Sequence, residues 1–137
     1  MATHNLNMAE SKKLYEACKG ALRPKNCYIN VFHCMVANIP KFNTGEWKIA
    51  YGFVPIADTP ACVRHCFIVD GFGEAIDPTI FFWSKLPDSQ YMSFEILKVE
   101  EYTQMLADND LRPDLELPLR AKENNFRVQH PDFICFG

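Results

Sequence analysis

The chain has 137 residues, a formal net charge of −3 at pH 7 and a hydrophobic content of 48%. This length and composition predict one folded domain spanning residues 1–137 and exclude a disordered chain. Lysines and arginines are dispersed, so we expect no nucleic-acid partner, and no apolar run approaches the length of a membrane span. The polar segment Met1–Lys12 lacks the apolar core of a signal peptide, so we expect a cytoplasmic protein without a membrane partner.

The N-terminal part of the chain predicts two helices. Residues 1–7 are expected to be flexible. The spacing of apolar residues predicts a first helix over Met8–Lys19 and a second over Cys27–Asn38. Asn26 is the expected N-cap of the second helix, and Pro40 is expected to end it. The β-branched and aromatic residues of this second segment leave a strand as the alternative.

The remainder of the chain is richer in strand-forming residues. Strands are predicted over Trp47–Pro55 and Tyr91–Val99, and a short helix over Glu100–Asn109. Three prolines in residues 111–137 predict an irregular C-terminal segment packed on the core, with Phe133–Phe136 as a last apolar patch or edge strand. Helices first and strands after predict an α+β fold, in which N-terminal helices pack on a small antiparallel β-sheet.

The stretch Val63–Thr79 predicts two strands joined by a glycine turn. Phe67–Val69 is a β-favouring run, and Glu74–Asp77 leads out of the turn. His65 opens the first strand, and Asp77 closes the second because Pro78 stops the pairing. Antiparallel neighbours bring their outer ends together, so the sequence predicts that His65 and Asp77 lie side by side.

A cysteine thiol would be the nucleophile that completes a catalytic triad with His65 and Asp77. The six cysteines are expected to be free thiols, since the chain shows no secretion signal. Cys27 differs from the others because it begins a predicted helix, whose positive end favours a thiolate. His65 would supply an imidazolium partner, and Asp77 would orient its ring, which together predict a Cys27–His65–Asp77 triad.

Three motifs resemble the transglutaminase-like branch of the papain-like cysteine protease superfamily. They are Asn26-Cys27-Tyr28, Arg64-His65-Cys66-Phe67-Ile68-Val69 and Ala75-Ile76-Asp77-Pro78-Thr79, and the resemblance covers Leu22–Phe82. In that branch a cysteine opens a helix, a histidine follows on a strand, and an aspartate lies on the next strand. The resemblance implies a helix packed on an antiparallel sheet and thiol-based acyl chemistry on amides.

The sequence therefore predicts an enzyme that acts on an amide bond. The activity would be that of a protease, amidase, deamidase or transglutaminase. Its substrate would be a protein or small amide, as for a phage or bacterial accessory protein. The oxyanion is expected to be held by the Cys27 backbone N–H and by Asn26 or the preceding loop. Trp47 and Trp83 are expected to line a substrate groove.

Two other interpretations remain open at this stage. Thiol and imidazole groups in His33-Cys34 and in Cys62-x-x-His65-Cys66 are ligands that suit zinc, but no Cys-x-x-Cys pair occurs. We therefore expect neither a metal nor a cofactor. The alternative from another functional class is a catalytically silent binding module, which would use the same scaffold to hold or inhibit a partner protein.

Overall fold

The computed structural model describes residues 1–56, 58–87 and 90–137. These residues form five α-helices, six β-strands and one 3₁₀ helix, Pro78–Phe82. The helices are α1 (Met8–Cys18), α2 (Cys27–Ala37), α3 (Ile39–Asn43), α4 (Val99–Asp108) and α5 (Arg120–Gln129). The strands are β1 (Ala2–His4), β2 (Lys48–Pro55), β3 (Ala61–Val69), β4 (Ala75–Ile76), β5 (Tyr91–Leu97) and β6 (Ile134–Phe136). Within the described residues, no helix has the length and apolar character needed to cross a membrane.

The six strands form one sheet in the order β1-β5-β2-β3-β4, with β6 also paired to β3. The α+β class is confirmed, but the sheet is mixed where the sequence predicts an antiparallel one. The exception is β6, which runs parallel to β3 with Cys62 opposite Cys135. It is parallel because the chain crosses over through α5 before it returns to the sheet.

The strand β3 holds a special position in this sheet. One of its edges is paired with β2 from Cys62 to Val69. Its other edge is shared by β6, opposite residues 61–63, and β4, opposite residues 68 and 69. Among the described strands, none pairs with that outer edge over residues 64–67. His65 therefore lies in a gap between two short strands.

Side chains of β3 alternate between two apolar layers. Cys66 and Ile68 belong to the layer that contains α2 and α4 residues such as Val31 and Tyr102. Phe67 and Val69 belong to the opposite layer, which contains Ile80 of the 3₁₀ helix. By the same alternation, His65 lies on the face that the 3₁₀ helix covers.

The predicted positions of the first two helices are confirmed within one or two residues, and α2 is a helix rather than a strand. Asn7 caps α1, because its side chain accepts a hydrogen bond from the Glu10 N–H at 3.0 Å. Asn26 is at the N-cap position of α2, as expected, but its side chain makes no capping hydrogen bond. Pro40 lies in the first turn of α3, a position that proline tolerates.

The predicted flexibility of residues 1–7 is wrong. Strand β1 pairs with β5, with Ala2 opposite Ser93. The His4 ring is 4% exposed and bonds to the Ser93 hydroxyl at 2.8 Å and to the Gly73 carbonyl at 2.7 Å. A buried, doubly hydrogen-bonded ring holds this terminus to the sheet.

The predicted irregular C-terminal segment is also wrong in part, because it contains the ten-residue helix α5. The prediction assumed that the prolines prevent a helix. Pro118 precedes α5 and Pro131 follows it, so neither interrupts the helix. Phe126 of α5 packs against Phe53, with ring centres 5.2 Å apart. The edge-strand prediction for Phe133–Phe136 is confirmed by β6.

Candidate active site

The turn after β3 sets the position of Asp77. Strands β3 and β4 pair through only two positions, Ile68 with Ile76 and Val69 with Ala75. The Asp70 carboxylate closes the turn by accepting from the Phe72 and Glu74 N–H groups, both at 2.9 Å. Gly73 has a φ of 79°, which favours glycine there. Asp77 follows β4 directly and lies at the N-cap of the 3₁₀ helix.

His65 and Asp77 form a buried hydrogen-bonded pair. The His65 Nε2 and Asp77 Oδ2 atoms are 2.7 Å apart, and the two residues are 3% and 0% exposed. The structure thus brings together the two residues that the hairpin predicts to be neighbours. The predicted first strand is too short at its N-terminal end, and the predicted second strand is too long at its C-terminal end. Strand β3 begins four residues before His65, at Ala61, and β4 ends at Ile76.

Three further hydrogen bonds fix Asp77, two to its carboxylate and one from its backbone N–H. The Tyr91 hydroxyl donates to Oδ2 at 2.7 Å, and the Thr79 N–H donates to Oδ1 at 3.2 Å. The Asp77 N–H donates to the Ser11 hydroxyl at 2.9 Å. The carboxylate is thus held from β3, β5 and the 3₁₀ helix, with Oδ2 directed at the His65 ring.

The same network connects the site to both N-terminal helices. Ser11 of α1 donates from its hydroxyl to the Asn7 carbonyl at 2.7 Å. Asn30 of α2 is fully buried, and its amide donates to the Thr79 hydroxyl at 3.0 Å. Sequence reasoning missed Ser11, Asn30 and Tyr91. Each is far from Asp77 along the chain, so no local spacing pointed to it.

A glycine on β2 lets β5 approach the site. Gly52 lies opposite His65 in the β2–β3 register, and the β2–β5 register shifts between Tyr51 and Gly52. A Cβ atom at residue 52 would overlap the backbone of Met92. Because glycine has no Cβ, β5 comes close at this bulge and carries the neighbouring Tyr91 to Asp77.

Cys27 is the first residue of α2 and is half-buried. Its side chain is close enough to His65 for its charge to contribute to the raised pKa of the ring. Asp77 takes Nε2, which leaves Nδ1 as the remaining ring nitrogen for the thiol. The structure therefore pairs His65 with Asp77 and places Cys27 near His65, and the role of Cys27 as their nucleophile stays a prediction.

The electrostatics of this cluster favour an imidazolium. Burial alone lowers the pKa of His65 and is the largest single effect on it. The negative charges of Asp77 and Cys27, with their hydrogen bonds, outweigh burial and raise the pKa of His65 to about 10. At neutral pH the ring is consequently charged, which is the form that stabilises a thiolate.

The backbone before Cys27 has an unusual conformation. Lys25 has a φ of 60°, in the left-handed region that non-glycine residues avoid. Such outliers are frequent at functional sites, where the surrounding structure enforces them. Asn26 is exposed and its side chain is not used as a cap. Its predicted contact with an oxyanion stays a prediction.

The two tryptophans do not share one groove. Trp83 lies over the His65 ring, with centres 5.2 Å apart. Trp47 lies just before the first residue of β2, whereas His65 and Trp83 lie towards the other end of that strand. By strand length, Trp47 is roughly 20 Å from them. It packs edge-on against Phe42 at 5.7 Å, with Lys41 Nζ 4.4 Å from its ring centre. The predicted groove lined by both tryptophans is wrong, because Trp47 is a 5% exposed core residue, and a groove at Trp83 stays a prediction.

The residues suggested as zinc ligands are dispersed in the structure. Cys34 is buried in the α2 layer, while His65 bonds to Asp77. Within residues 1–56, 58–87 and 90–137, no three His, Cys, Asp or Glu side chains are grouped to hold a metal ion.

No protein-family model, curated protein or solved structure matches the chain significantly. The likeness to transglutaminase-like enzymes therefore rests on the sequence motifs quoted above.

Proposed function

We propose that this protein is a papain-like thiol enzyme that acts on amide bonds through Cys27, His65 and Asp77. One observation carries the proposal: a thiol at a helix start lies near an imidazole that is hydrogen-bonded to a fully buried carboxylate. A buried carboxylate needs a positive partner, and the His65 imidazolium provides it. This arrangement matches the requirements of nucleophilic catalysis by cysteine.

The chemistry follows from the protonation states. The Cys27 thiolate attacks the amide carbonyl carbon and forms a carbon–sulfur bond, and the carbonyl oxygen takes the negative charge. The Cys27 N–H has no acceptor within α2 at this first helical position and would donate to the oxyanion. The His65 imidazolium then gives its proton to the amide nitrogen, the carbon–nitrogen bond breaks, and the amine leaves.

The acyl thioester on Cys27 is resolved in a second step. Water or an amine attacks the thioester carbonyl, neutral His65 accepts the proton of that nucleophile, and the thiolate leaves. Water gives hydrolysis, and an amine gives acyl transfer. Throughout both steps Asp77 keeps the His65 ring in one orientation, while Tyr91 and Thr79 keep Asp77 in place.

The proposal is tested with an activated ester that acylates reactive thiolates without a specific substrate. p-Nitrophenyl acetate is mixed with the protein, and the release of p-nitrophenolate is followed. We expect a burst of one equivalent, with peptide mass mapping placing the acetyl group on Cys27. Cys27→Ser and His65→Gln should each abolish the fast burst.

Two other half-buried thiols, Cys18 and Cys135, serve as internal controls. If Cys27 is acetylated no faster than these two, thiol catalysis is rejected. The scaffold is then better explained as a binding module for a partner protein.

A further inference from the structure

An apolar cavity lies beside the His65 face of β3. Its volume is about 190 Å³, and its walls include Val54, Val63, Trp83 and Leu86. Val63 and His65 are two residues apart on β3, so their side chains project from the same face about 7 Å apart. Trp83 lines the cavity and also contacts the His65 ring. The cavity therefore adjoins the candidate active site, because Trp83 belongs to the wall of one and contacts His65 of the other.

The side chains that line this cavity indicate which kind of ligand it can bind. Among the described residues that line it, all except Lys85 are aliphatic, proline or tryptophan. Leu86 and Ile56 are 44% and 46% exposed, so apolar surface is left open to solvent at the entrance. Such a surface gains most from an occupant that is itself apolar.

We infer that this cavity is the specificity subsite of the enzyme and receives an apolar side chain of the amide substrate, adjacent to the scissile bond. The inference rests on the proposed thiol chemistry and adds a substrate class to it. Removing one methylene group from water favours binding by up to about fourfold. A hexanoyl group carries four more methylene groups than an acetyl group, so even partial burial gives a preference of about tenfold or more.

The test uses alkyl chains on each side of the reacting carbonyl. In one arm, p-nitrophenyl esters from acetate to hexanoate acylate Cys27. In the other, n-alkylamines of increasing length compete with water for the acetyl-enzyme. Rates are divided by those of free N-acetylcysteine, or of its thioester, to remove intrinsic reactivity. We expect a rate increase of about tenfold or more with chain length in one arm.

Matched variants separate the cavity from general surface effects. Leu86→Asp places a charge at the entrance and should reduce the chain-length preference to within about twofold. Leu117→Asp makes the same change at a 63% exposed residue elsewhere and should keep the preference. Acetyl transfer to Cys27 without chain-length preference in either arm would refute the subsite and leave the thiol chemistry intact. Absence of fast acetyl transfer would refute the proposed function itself.

A second, independent feature is a pair of thiols between β3 and β6. Cys62 and Cys135 are register partners on these parallel strands, and their Sγ atoms are 3.4 Å apart. All six cysteines are free in this structure. Neighbouring strands lie about 4.8 Å apart, and disulfides need Cα atoms roughly 4.4–6.8 Å apart. Paired residues on neighbouring strands are therefore within the Cα range that a disulfide needs.

We propose that Cys62 and Cys135 form a disulfide when the protein meets a disulfide oxidant such as glutathione disulfide. The half-buried Cys135 thiolate attacks the oxidant, releases one glutathione and forms a mixed disulfide. The Cys62 thiolate then displaces the second glutathione, so two thiols lose two electrons and two protons and the oxidant gains them. Cys135 reacts first because it is half-buried and accessible to the oxidant, whereas Cys62 is buried and this burial raises the pKa of its thiol to about 12.

The pairing is tested on the intact protein incubated with glutathione disulfide. We expect a mass lower by two hydrogen atoms, a Cys62–Cys135 crosslinked peptide, and a melting temperature higher by about 5 °C or more. Cys135→Ser should abolish the mass loss. Cys18→Ser, which changes another half-buried thiol, should leave it in place. Persistent glutathione adducts, or a disulfide between other cysteines, would overturn the proposal.

Discussion

The pKa of His65 is set by opposing effects, and amino-acid substitutions can separate these effects. Burial lowers the pKa of His65, whereas Asp77 and Cys27 raise it, with a net result of about 10. Relative to the reference value of 6.5, this corresponds to about 5 kcal/mol in favour of the imidazolium. Asp77→Asn keeps the shape of the side chain but removes its charge. In this variant burial still lowers the pKa of His65 and only Cys27 raises it. We therefore expect the pKa of His65 to fall by about 2 units or more.

The measurement is an NMR titration of the histidine ring carbons, with His65 assigned by the loss of its signal in His65→Gln. In the wild type we expect an imidazolium signal that persists well above the reference pKa. Tyr91→Phe is the matched control, since it removes a hydrogen bond to Asp77 but keeps the carboxylate charge. The pKa of His65 should therefore stay raised in that variant. A wild-type titration near the reference value, or an unchanged titration in Asp77→Asn, would refute the electrostatic reasoning.

Three further predictions concern stability. Tyr91→Phe should lower the free energy of unfolding by about 1.5–3 kcal/mol in urea denaturation, because it removes a buried hydrogen bond to a charged group; no loss would mean that this bond is not formed. In Cys27→Ser the thiol no longer titrates but the Asp77 carboxylate still bonds to the ring, so we expect the pKa of His65 to stay raised, with its contribution to stability complete below about pH 6.5 and smaller as the pH rises. Stability relative to Cys27→Ser/His65→Gln should therefore fall from about pH 6.5 upward, and a rise would contradict the sign of the shift. Gly52→Ala should cost more than about 3 kcal/mol or abolish folding, since its Cβ meets the Met92 backbone, whereas Gly20→Ala has open space and should be close to neutral; equal melting temperatures for the two variants would contradict the close strand approach.

Local signals account for most of the elements that the sequence predicts correctly. Apolar spacing located α1 and α2, and β-favouring residues located β2 and β5, because these patterns reflect which face of each element is buried. The hairpin prediction brought His65 and Asp77 together because a glycine turn limits how the two strands can pair. Cys27 was found through the expected behaviour of a thiol at a helix start.

The residues that sequence reasoning missed act over long distances along the chain. Tyr91 bonds to Asp77 only because Gly52 lets β5 approach β2, and that close contact belongs to the assembled sheet. Terminal strand β1 is held by the buried His4, whose partners lie more than sixty residues away. Trp47 was assigned to a groove by its residue type alone, but its position at the far end of β2 places it in the core.

The central claim is that His65 makes Cys27 the reactive thiol of this protein. It is tested most directly by limited alkylation with iodoacetamide at neutral pH, followed by mass mapping of all six cysteines. We expect Cys27 to be labelled well before Cys18 and Cys135, the two other half-buried thiols, and His65→Ala to slow this labelling by about tenfold or more while leaving those two unchanged. Equal labelling of the three thiols, or a rate at Cys27 that does not respond to His65→Ala, would contradict the account.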